Sequence, residues 1–289
     1  MRFFIVDVFA EKKYQGNQLA VFILEQRLPK SEMQRIAKEI NFSETTFIEP
    51  GDFSNPYKVR IFTPDVEVPF AGHPTLGTAY IINKILEKGQ HEDIVLNLGV
   101  GEITVSFSEN NKNELWMRQK EPHFGKTIDP EVIADILQIS KEDINTNFPI
   151  QIVSTGLPAV IIPVKTILSV QHCKINHAKY QAFIDNTFKA NLLAFTTQTE
   201  QECNDIHARV FMDDPGFLED AATGSANGNL AAYLLEYHFF NKSKITLNVE
   251  QGYSIGRPSL IKIKAEKING RFQILIGGGV FLIAGGRWA

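Results

Sequence analysis

The chain has 289 residues, of which 44% are hydrophobic and 21% are charged, enough apolar material for one large domain or two ordinary ones. The formal net charge of −4 gives no electrostatic reason to expect a nucleic-acid partner. No run of about 18 apolar residues occurs, so the sequence predicts neither a membrane partner nor a membrane-spanning helix.

Short runs typical of β-strands dominate the first part of the chain. A helix is predicted at Ser31–Ile40, with Ser31 as its N-cap. A second helix is predicted to begin near Pro74, because the missing N–H of proline costs nothing at the first helical position. The predicted strands are Phe3–Val8, Leu19–Leu24, Thr45–Glu49, Tyr57–Phe62, Ile94–Leu98, Ile103–Ser108 and Leu115–Arg118.

The second part of the chain repeats this order of elements. A helix is predicted at Ala178–Thr187, and a long apolar helix at about Ser225–Phe240. A helix that is apolar on nearly all sides must be enclosed by other elements. The predicted strands are Ile150–Ser154, Val160–Val164, Leu192–Thr197, Ile245–Val249, Ser259–Ala265, Phe272–Ile276 and Val280–Ala284.

Three pairs of short motifs indicate a duplicated unit. Glu67 precedes Gly72 by the same five positions that separate Glu219 from Gly224, and each glycine opens a helix. The segment Leu96-Asn97-Leu98 with Gly101 matches Leu247-Asn248-Val249 with Gly252, and Phe47 matches Phe195. The alternative is chance similarity between strand-rich segments.

The predicted fold is therefore α+β, with a duplicated α/β unit and two pseudo-symmetric domains. Each domain is predicted to be a mostly antiparallel, barrel-like sheet around a central helix. The predicted domains are 1–122 and 123–289, with a C-terminal strand near 280–289 as a candidate addition to the first. The active-site cleft is expected between them.

The two helix starts, Ala71-Gly72-His73-Pro74-Thr75 and Ala222-Thr223-Gly224-Ser225-Ala226, have the form of an anion site. N–H groups in the first helical turn have no partner within the helix, and glycine lets a ligand approach the backbone closely. Two such starts would bind the carboxylate of a small anionic metabolite. The alternative is ordinary helix capping, with Ser225 as the N-cap.

Titratable side chains lie beside these helix starts in the sequence. His73 is in the first start, Asp220 precedes the second, and Glu44 lies between a helix and a strand. Aligning Phe47 with Phe195 places Leu192 opposite Glu44, so this carboxylate is expected in one half only. A catalyst with one general acid/base would have this pattern, although a solvated loop acid is the alternative.

In order and spacing, several motifs together resemble the PhzF-like (phenazine biosynthesis) family, which is related in fold to diaminopimelate epimerase and proline racemase. They run through most of the chain: Asp7-Val8-Phe9, Gly16-Asn17 with Ala20-Val21, Asn41 with Ser43-Glu44-Thr45, Ile61-Phe62-Thr63-Pro64, Glu67-Val68-Pro69, Ala71-Gly72-His73-Pro74-Thr75, Arg209-Val210-Phe211, Glu219-Asp220, Ala222-Thr223-Gly224-Ser225-Ala226, Gln251-Gly252 and Gly256-Arg257-Pro258-Ser259.

The resemblance implies paired barrels, each around a helix, and an isomerase that moves a proton on a small carboxylate-bearing metabolite without a cofactor or a metal. It implies Glu44 as the general acid/base, with His73 and Asp220 completing the catalytic set. It implies a substrate-binding set of Gly72, Thr223, Gly224, Ser225 and Arg209. A homodimer is also expected from the family.

Other interpretations stay open at this point. An amino-acid epimerase of the two-thiol kind is disfavoured, because neither Cys173 nor Cys203 lies in a helix-start motif. A non-catalytic metabolite-binding or scaffold protein would need the same cradle but has little use for Glu44. Zinc at the two cysteines with His177 and His207 lacks a supporting motif.

Two smaller features also have expected explanations. The glycines at 99–101, 277–279 and 285–286 are predicted to be turns between strands rather than nucleotide loops, because no helix pattern follows them. Two cysteines are too few for a disulfide framework, so a reducing cytoplasm is the predicted location.

Overall fold

The computed structural model describes residues 1–51, 55–187, 189–213 and 217–289. The fold is mixed α+β, and the chain divides into two compact units. Unit 1 comprises Met1–Arg118 with Gly277–Ala289, and unit 2 comprises Gln119–Ile276.

Unit 1 contains eight strands, part of a C-terminal strand and two α-helices among its described residues. The strands are β1 (Arg2–Val8), β2 (Asn17–Ile23), β3 (Glu44–Ile48), β4 (Tyr57–Phe62), β5 (Glu67–Val68), β6 (Asp93–Leu98), β7 (Gly101–Phe107) and β8 (Glu114–Arg118). The helices are α1 (Lys30–Ile40) and α2 (Gly72–Ile81), and a π-helical turn at Ile82–Leu86 extends α2. The C-terminal strand is Arg271–Arg287.

The sheet of unit 1 closes on itself. Neighbouring strands around the ring pair in the order β1-β2-β3-β4-β6-β7-β8. The C-terminal strand pairs with both β8 and β1, which completes the ring. Closure removes the unpaired strand edges that an open sheet exposes.

Helix α2 lies inside this barrel and is buried along its whole length. It contacts six of the strands, and the Thr46 and Thr78 hydroxyls hydrogen-bond at 2.8 Å between β3 and α2. The face of β3 that carries Thr46 therefore points at the central helix. Glu44 lies on the same face, because side chains two residues apart in a strand point to the same side.

Helix α1 covers the opposite face of the strands. Met33, Ile36 and Ala37 pack against a cluster that includes Phe22 and Phe47. The prediction of Ser31 as N-cap was wrong: α1 begins at Lys30 after Pro29, and no side chain caps it. Pro29 fixes the extended backbone at this position instead.

The glycines of the C-terminal strand do not form turns, which corrects the prediction. Residues Gly277-Gly278-Gly279 and Gly285-Gly286 lie within one continuous strand. A Cβ at Gly277 would lie 2.5 Å from the Leu115 carbonyl oxygen, and one at Gly279 would lie 2.2 Å from the Ala10 carbonyl oxygen. Glycine is present there because neighbouring backbone approaches too closely for a side chain.

Unit 2 has its own strands and helices. The strands are β9 (His123–Thr127), β10 (Gln151–Ser154), β11 (Pro158–Pro163), β12 (Asn191–Thr196), β13 (Ile206–Phe211), β14 (Glu219–Asp220), β15 (Lys244–Gln251) and β16 (Ser259–Ile268). The helices are α3 (Pro130–Leu137), α4 (Ile167–His172), α5 (His177–Asn186) and α6 (Gly224–Glu236). Short 3₁₀ turns occur at Lys141–Asp143 and Tyr253–Ile255.

The strand pairings of unit 2 have the same order and sense as those of unit 1. β11 and β12 are parallel, as β2 and β3 are, and β13 pairs antiparallel with β12 and β14. β13 and β15 are parallel, as β4 and β6 are, and β15 and β16 form the following antiparallel pair. The core helix α6 contacts β10, β11, β12, β15 and β16.

Three helices that sequence patterns largely missed cover the outer face of unit 2. Residues of α3, α4 and α5 pack on β10–β12 in one cluster that includes Ile133, Val170 and Tyr180. Only α5 was predicted, because α3 and α4 span just eight and six residues, shorter than the window over which a helical period is recognised. The predicted end of α6 at Phe240 is also corrected to Glu236, since His238 has a positive φ of 49°.

Candidate active site

The two core helices begin without side-chain caps in the described part of the chain. Ala71 is the N-cap of α2 and Thr223 the N-cap of α6, and neither side chain bonds to the first turn. The alternative in which Ser225 caps its helix is therefore wrong, because Thr223 is the N-cap and Ser225 lies inside the first turn. Gly72, His73, Gly224 and Ser225 are buried, and their N–H groups lie in the first helical turn, at the positive end of each helix dipole.

In unit 1, Glu44 and His73 meet at the start of α2. Glu44 Oε2 lies 3.5 Å from His73 Nε2, and the two side chains are 16% and 5% exposed. Glu44 reaches this position because it is the first residue of β3, on the face that points at α2. A carboxylate and an imidazole are thus held together beside the uncapped N–H groups of one helix.

Burial lowers the pKa of His73 to about 3, against a smaller, opposing effect of the Gln18 main chain. The imidazole is therefore neutral at physiological pH. Its contact with Glu44 is consequently between a neutral ring and a carboxyl group, rather than an ion pair between a cation and an anion.

This buried neutral histidine should make the protein less stable in acid. The unfolded chain takes up the proton near pH 6.5 and the folded chain only near pH 3, so stability falls as the pH drops between these values. We expect His73 to account for a loss of about 2 kcal/mol in unfolding free energy between pH 7 and pH 5.

Urea unfolding at a series of pH values would measure this loss. The His73→Gln variant should show a shallower pH dependence than the wild type, whereas His91→Gln, which removes a half-exposed imidazole, should not. Equal pH dependence in the wild type and His73→Gln would contradict the assignment.

In unit 2, a glutamine organises the start of α6. Gln251 Nε2 donates to the Asp220 carbonyl oxygen at 2.9 Å, and Gln251 Oε1 accepts from Asn227 Nδ2 at 3.1 Å. The Thr223 hydroxyl donates to Asp220 Oδ2 at 2.6 Å. One segment therefore contains the predicted residues Asp220, Thr223, Gly224 and Ser225. The Gln251 side chain hydrogen-bonds to the main chain of this segment at Asp220 and Thr223.

The Arg209 guanidinium donates hydrogen bonds to groups of unit 2. Its Nε and Nη2 groups donate to the Glu219 carboxylate at 3.0 and 2.6 Å. Its Nη1 group donates to the carbonyl oxygens of Val170, Gln171 and Cys173 at 2.9–3.1 Å, at the C-terminal end of α4. The guanidinium that the sequence assigned to substrate thus joins three elements of unit 2.

Unit 1 contains a similar but simpler pair. Arg60 makes the same two-point contact with Glu67, at 2.7 and 2.8 Å, and this interaction lowers the pKa of Glu67 to about 2. Among the described residues, Arg60 Nη1 has Glu49 at 4.0 Å and no helix end beside it. In both units, the glutamate that precedes the core helix therefore forms a two-point ion pair with an arginine of the neighbouring strand.

Strand register corrects the predicted counterpart of Glu44. Phe47 pairs with Arg60 across the β3–β4 ladder, whereas Ala194, not Phe195, pairs with Arg209 across β12–β13. Counting back along both strands places Asn191 opposite Glu44, so the prediction of Leu192 was wrong. A one-residue shift reverses the face of a strand: Phe47 packs under α1, whereas Phe195 contacts Tyr233 of α6.

The strand register also corrects the predicted match between Leu96-Asn97-Leu98 and Leu247-Asn248-Val249. Lys58 pairs with Asn97, and His207 pairs with Glu250, so Asn97 matches Glu250 rather than Asn248. Gly99 then matches Gly252, in place of the predicted Gly101. A Cβ at Gly99 would lie 2.8 Å from Pro69, and one at Gly252 would lie 2.6 Å from the Ala221 carbonyl oxygen.

The cysteines and the remaining buried histidine have local partners. Cys173 is buried and donates to the Ser169 carbonyl oxygen, and Cys203 is exposed. His207 Nδ1 lies 2.8 Å from Glu250, which also accepts from Asn204 and from main-chain N–H groups. Within residues 1–51, 55–187, 189–213 and 217–289, no group of three or more His, Cys, Asp or Glu side chains could hold a metal ion.

Asn17 and Gln251 occur in the motifs named from the sequence, but no role in the site was predicted for them, and both contact the predicted set. The Asn17 amide nitrogen lies 3.3 Å from His73 Nδ1, and both side chains are buried. Each residue stands next to a glycine with positive φ, Gly16 or Gly252. An asparagine or glutamine next to a glycine can therefore indicate a site residue in the sequence, since a turn at the glycine fixes the direction of the amide side chain.

None of the helices in the described part of the chain is long and apolar enough to cross a membrane.

Comparisons with known proteins point to one family over nearly the whole chain. The model of the phenazine biosynthesis-like protein family PhzC-PhzF matches residues 6–285. An uncharacterized isomerase of Clostridium acetobutylicum is 34% identical, over 90% of this chain and 88% of its own length. The trans-2,3-dihydro-3-hydroxyanthranilate isomerase of Pseudomonas fluorescens is also 34% identical, over 91% and 89%. The crystal structure of a PhzF-family protein of Bacillus anthracis has a TM-score of 0.88 at 27% identity, over 99% and 97% of the two chains.

Proposed function

Because the chain belongs to the phenazine biosynthesis-like PhzC-PhzF family and is a PhzF-like isomerase, we propose that it moves a proton on a small carboxylate-bearing metabolite. In this proposal Glu44 is the general acid/base, and no cofactor takes part. Glu44 takes a proton from one carbon of the substrate, exchanges it with solvent through its 16% exposed carboxyl group, and delivers a proton to another carbon, so substrate and product have the same composition.

The contact between Glu44 and His73 is the observation that carries the proposal. A general acid/base must be able to take up and release a proton beside the reacting carbons, and a carboxyl group can do both. Glu44 is 16% exposed and lies 3.5 Å from an imidazole that burial keeps neutral. His73 would then serve as a hydrogen-bond partner of Glu44 or of the substrate, rather than as a second charge.

The helix starts support the choice of a carboxylate-bearing substrate. The N–H groups of Gly72 and His73 in unit 1, and of Gly224 and Ser225 in unit 2, have no side-chain cap in the described residues. Such groups favour an anion. We assign Thr223 to the same role in unit 2, where its hydroxyl fixes Asp220, the third residue of the proposed catalytic set.

The division of roles agrees with a duplication followed by divergence, which we propose as the origin of the two units. Their strand pairings have the same order and sense, and an Arg–Glu pair precedes each core helix. At the position of Glu44, unit 2 has Asn191. An amide cannot act as a general acid/base, so in the proposal only unit 1 retains this chemistry.

The proposal is tested with trans-2,3-dihydro-3-hydroxyanthranilate, the compound in the name of the Pseudomonas fluorescens relative. Purified protein and this compound are incubated in D2O, and the products are followed by NMR and mass spectrometry. We expect an isomer of the compound that carries one solvent deuteron at the carbon that gains hydrogen.

Tight binding of the compound without exchange of any C–H proton would instead favour a metabolite-binding protein without turnover. A homodimer, a cytoplasmic location and a substrate from phenazine biosynthesis itself stay predictions. Light scattering of the purified protein measures the first of these.

A further inference from the structure

We propose that Asn17 is the positioning residue that keeps the imidazole proton of His73 on Nε2, the nitrogen that faces Glu44. The inference rests on the proposed function for its catalytic consequence. It also makes a claim about the protonation of His73 that needs no substrate.

A chain of contacts in unit 1 leads to this assignment. In the observed orientation of the Asn17 amide, Oδ1 accepts from the Ser43 hydroxyl at 3.3 Å, and Nδ2 lies 3.3 Å from His73 Nδ1. An amide nitrogen can only donate, so Nδ1 must accept and cannot carry the proton. A neutral imidazole has one proton, which leaves it on Nε2.

The proton on Nε2 then points at the proposed acid/base. Nε2 is buried and lies 3.5 Å from Glu44 Oε2, with no hydrogen bond to it among the described residues. In this tautomer Nε2–H can donate to the Glu44 carboxylate or to a substrate oxygen. In the other tautomer, the Nε2 lone pair would face the carboxylate, and the two would repel.

The loop before Asn17 is built to hold it in this position. The main-chain N–H of Tyr14 donates to the buried carboxylate of Asp7 at 2.7 Å, and Tyr14 and Phe9 both have positive φ. At Gly16, φ is +73° and a Cβ would lie 2.3 Å from the Val8 carbonyl oxygen, so only glycine fits. The motifs around Asp7 and Gly16 thus shape the loop that positions Asn17 against His73.

The test uses the full-length protein labelled with ¹⁵N-histidine, and long-range ¹H–¹⁵N NMR spectra at pH 8 without ligand. The His73→Gln variant identifies the His73 signals among the seven histidines. We expect a single tautomer in the wild type, with Nε2 protonated. Asn17→Asp, nearly isosteric, replaces the donor with an acceptor and should shift the proton to Nδ1.

Ser43→Ala provides a second variant that keeps Asn17 in place. Without the Ser43 hydroxyl, the amide loses one of the contacts that set its orientation, and the His73 signals should shift toward a mixture of tautomers. Asn97→Ala, at an exposed asparagine of β6, is the matched control and should leave the tautomer unchanged.

Turnover gives the second readout. With the test compound above, Asn17→Asp should lower kcat by about 100-fold with little change in KM, because the substrate still binds but the proton faces the wrong way. An Nδ1-protonated His73 in the wild type, or an Nε2-protonated His73 in both variants, would overturn the inference. If Glu44 proves not to be the acid/base, the NMR result for Asn17 still stands or falls independently.

Discussion

Replacing Glu44 with glutamine is expected to lower kcat by about 1,000-fold and to stop solvent deuterium from entering the product. Glutamine keeps the size and the oxygen of glutamate but cannot take up or release a proton, and general acid/base catalysis contributes about 100- to 10,000-fold. Substrate binding should persist, because the uncapped N–H groups of Gly72 and His73 are unchanged. Isothermal titration gives the binding constant, and mass spectrometry of the product formed in D2O gives deuterium incorporation.

Glu102→Gln is the matched control, since Glu102 is exposed on β7 of the same unit. This variant should keep both turnover and incorporation. Deuterium incorporation by Glu44→Gln at the wild-type level would remove Glu44 from the mechanism. His73 could not take its place as the base that is charged after proton transfer, because burial holds the pKa of its imidazolium at about 3.

The second large effect is expected on stability. Arg209→Met should lower the unfolding free energy by about 3–5 kcal/mol, the usual cost of removing one partner from a buried ion pair. The variant leaves the Glu219 carboxylate, 7% exposed, without its cation, and removes the donors to three carbonyl oxygens at the end of α4. Denaturant unfolding measures the change.

The sequence assigned Arg209 to the substrate, and the same variant decides between the two roles. Arg60→Met is the control: Arg60 makes the corresponding contact with Glu67, but its side chain is 21% exposed and it holds no helix end among the described residues. We expect it to destabilise the protein less than Arg209→Met does. If Arg209→Met leaves stability within about 1 kcal/mol of the wild type but weakens ligand binding tenfold, the sequence-based role is right.

Local patterns predicted where the core helices begin, but not how the strands register. The spacing of Glu67 to Gly72, repeated at Glu219 and Gly224, marks both helix starts because each pair spans one short strand and one turn. The match of Phe47 to Phe195 failed because an aromatic residue suits either face of a strand, and only the ladder to Arg60 or Arg209 reveals which face is used.

Long-range contacts explain the other misses. Gly277 and Gly279 look like turn residues, yet they are in a strand because the Leu115 and Ala10 backbones approach them from distant parts of the sequence. Asn17 and His73 are 56 positions apart, and no local period connects them. The contacts of Arg209 with the carbonyl oxygens at the end of α4 were not predicted, because α4 is too short to be recognised from the sequence.

The closure of unit 1 by the C-terminal strand has a consequence for the order of events during synthesis. β1 and β8 leave the ribosome early, but the residues that pair with both, from Gly277 onward, follow only after all of unit 2. Until then, the nascent barrel has two open edges, and its completion depends on pairing across a very long stretch of chain, which is slow. During that interval we expect the two open edges to favour aggregation of the growing polypeptide.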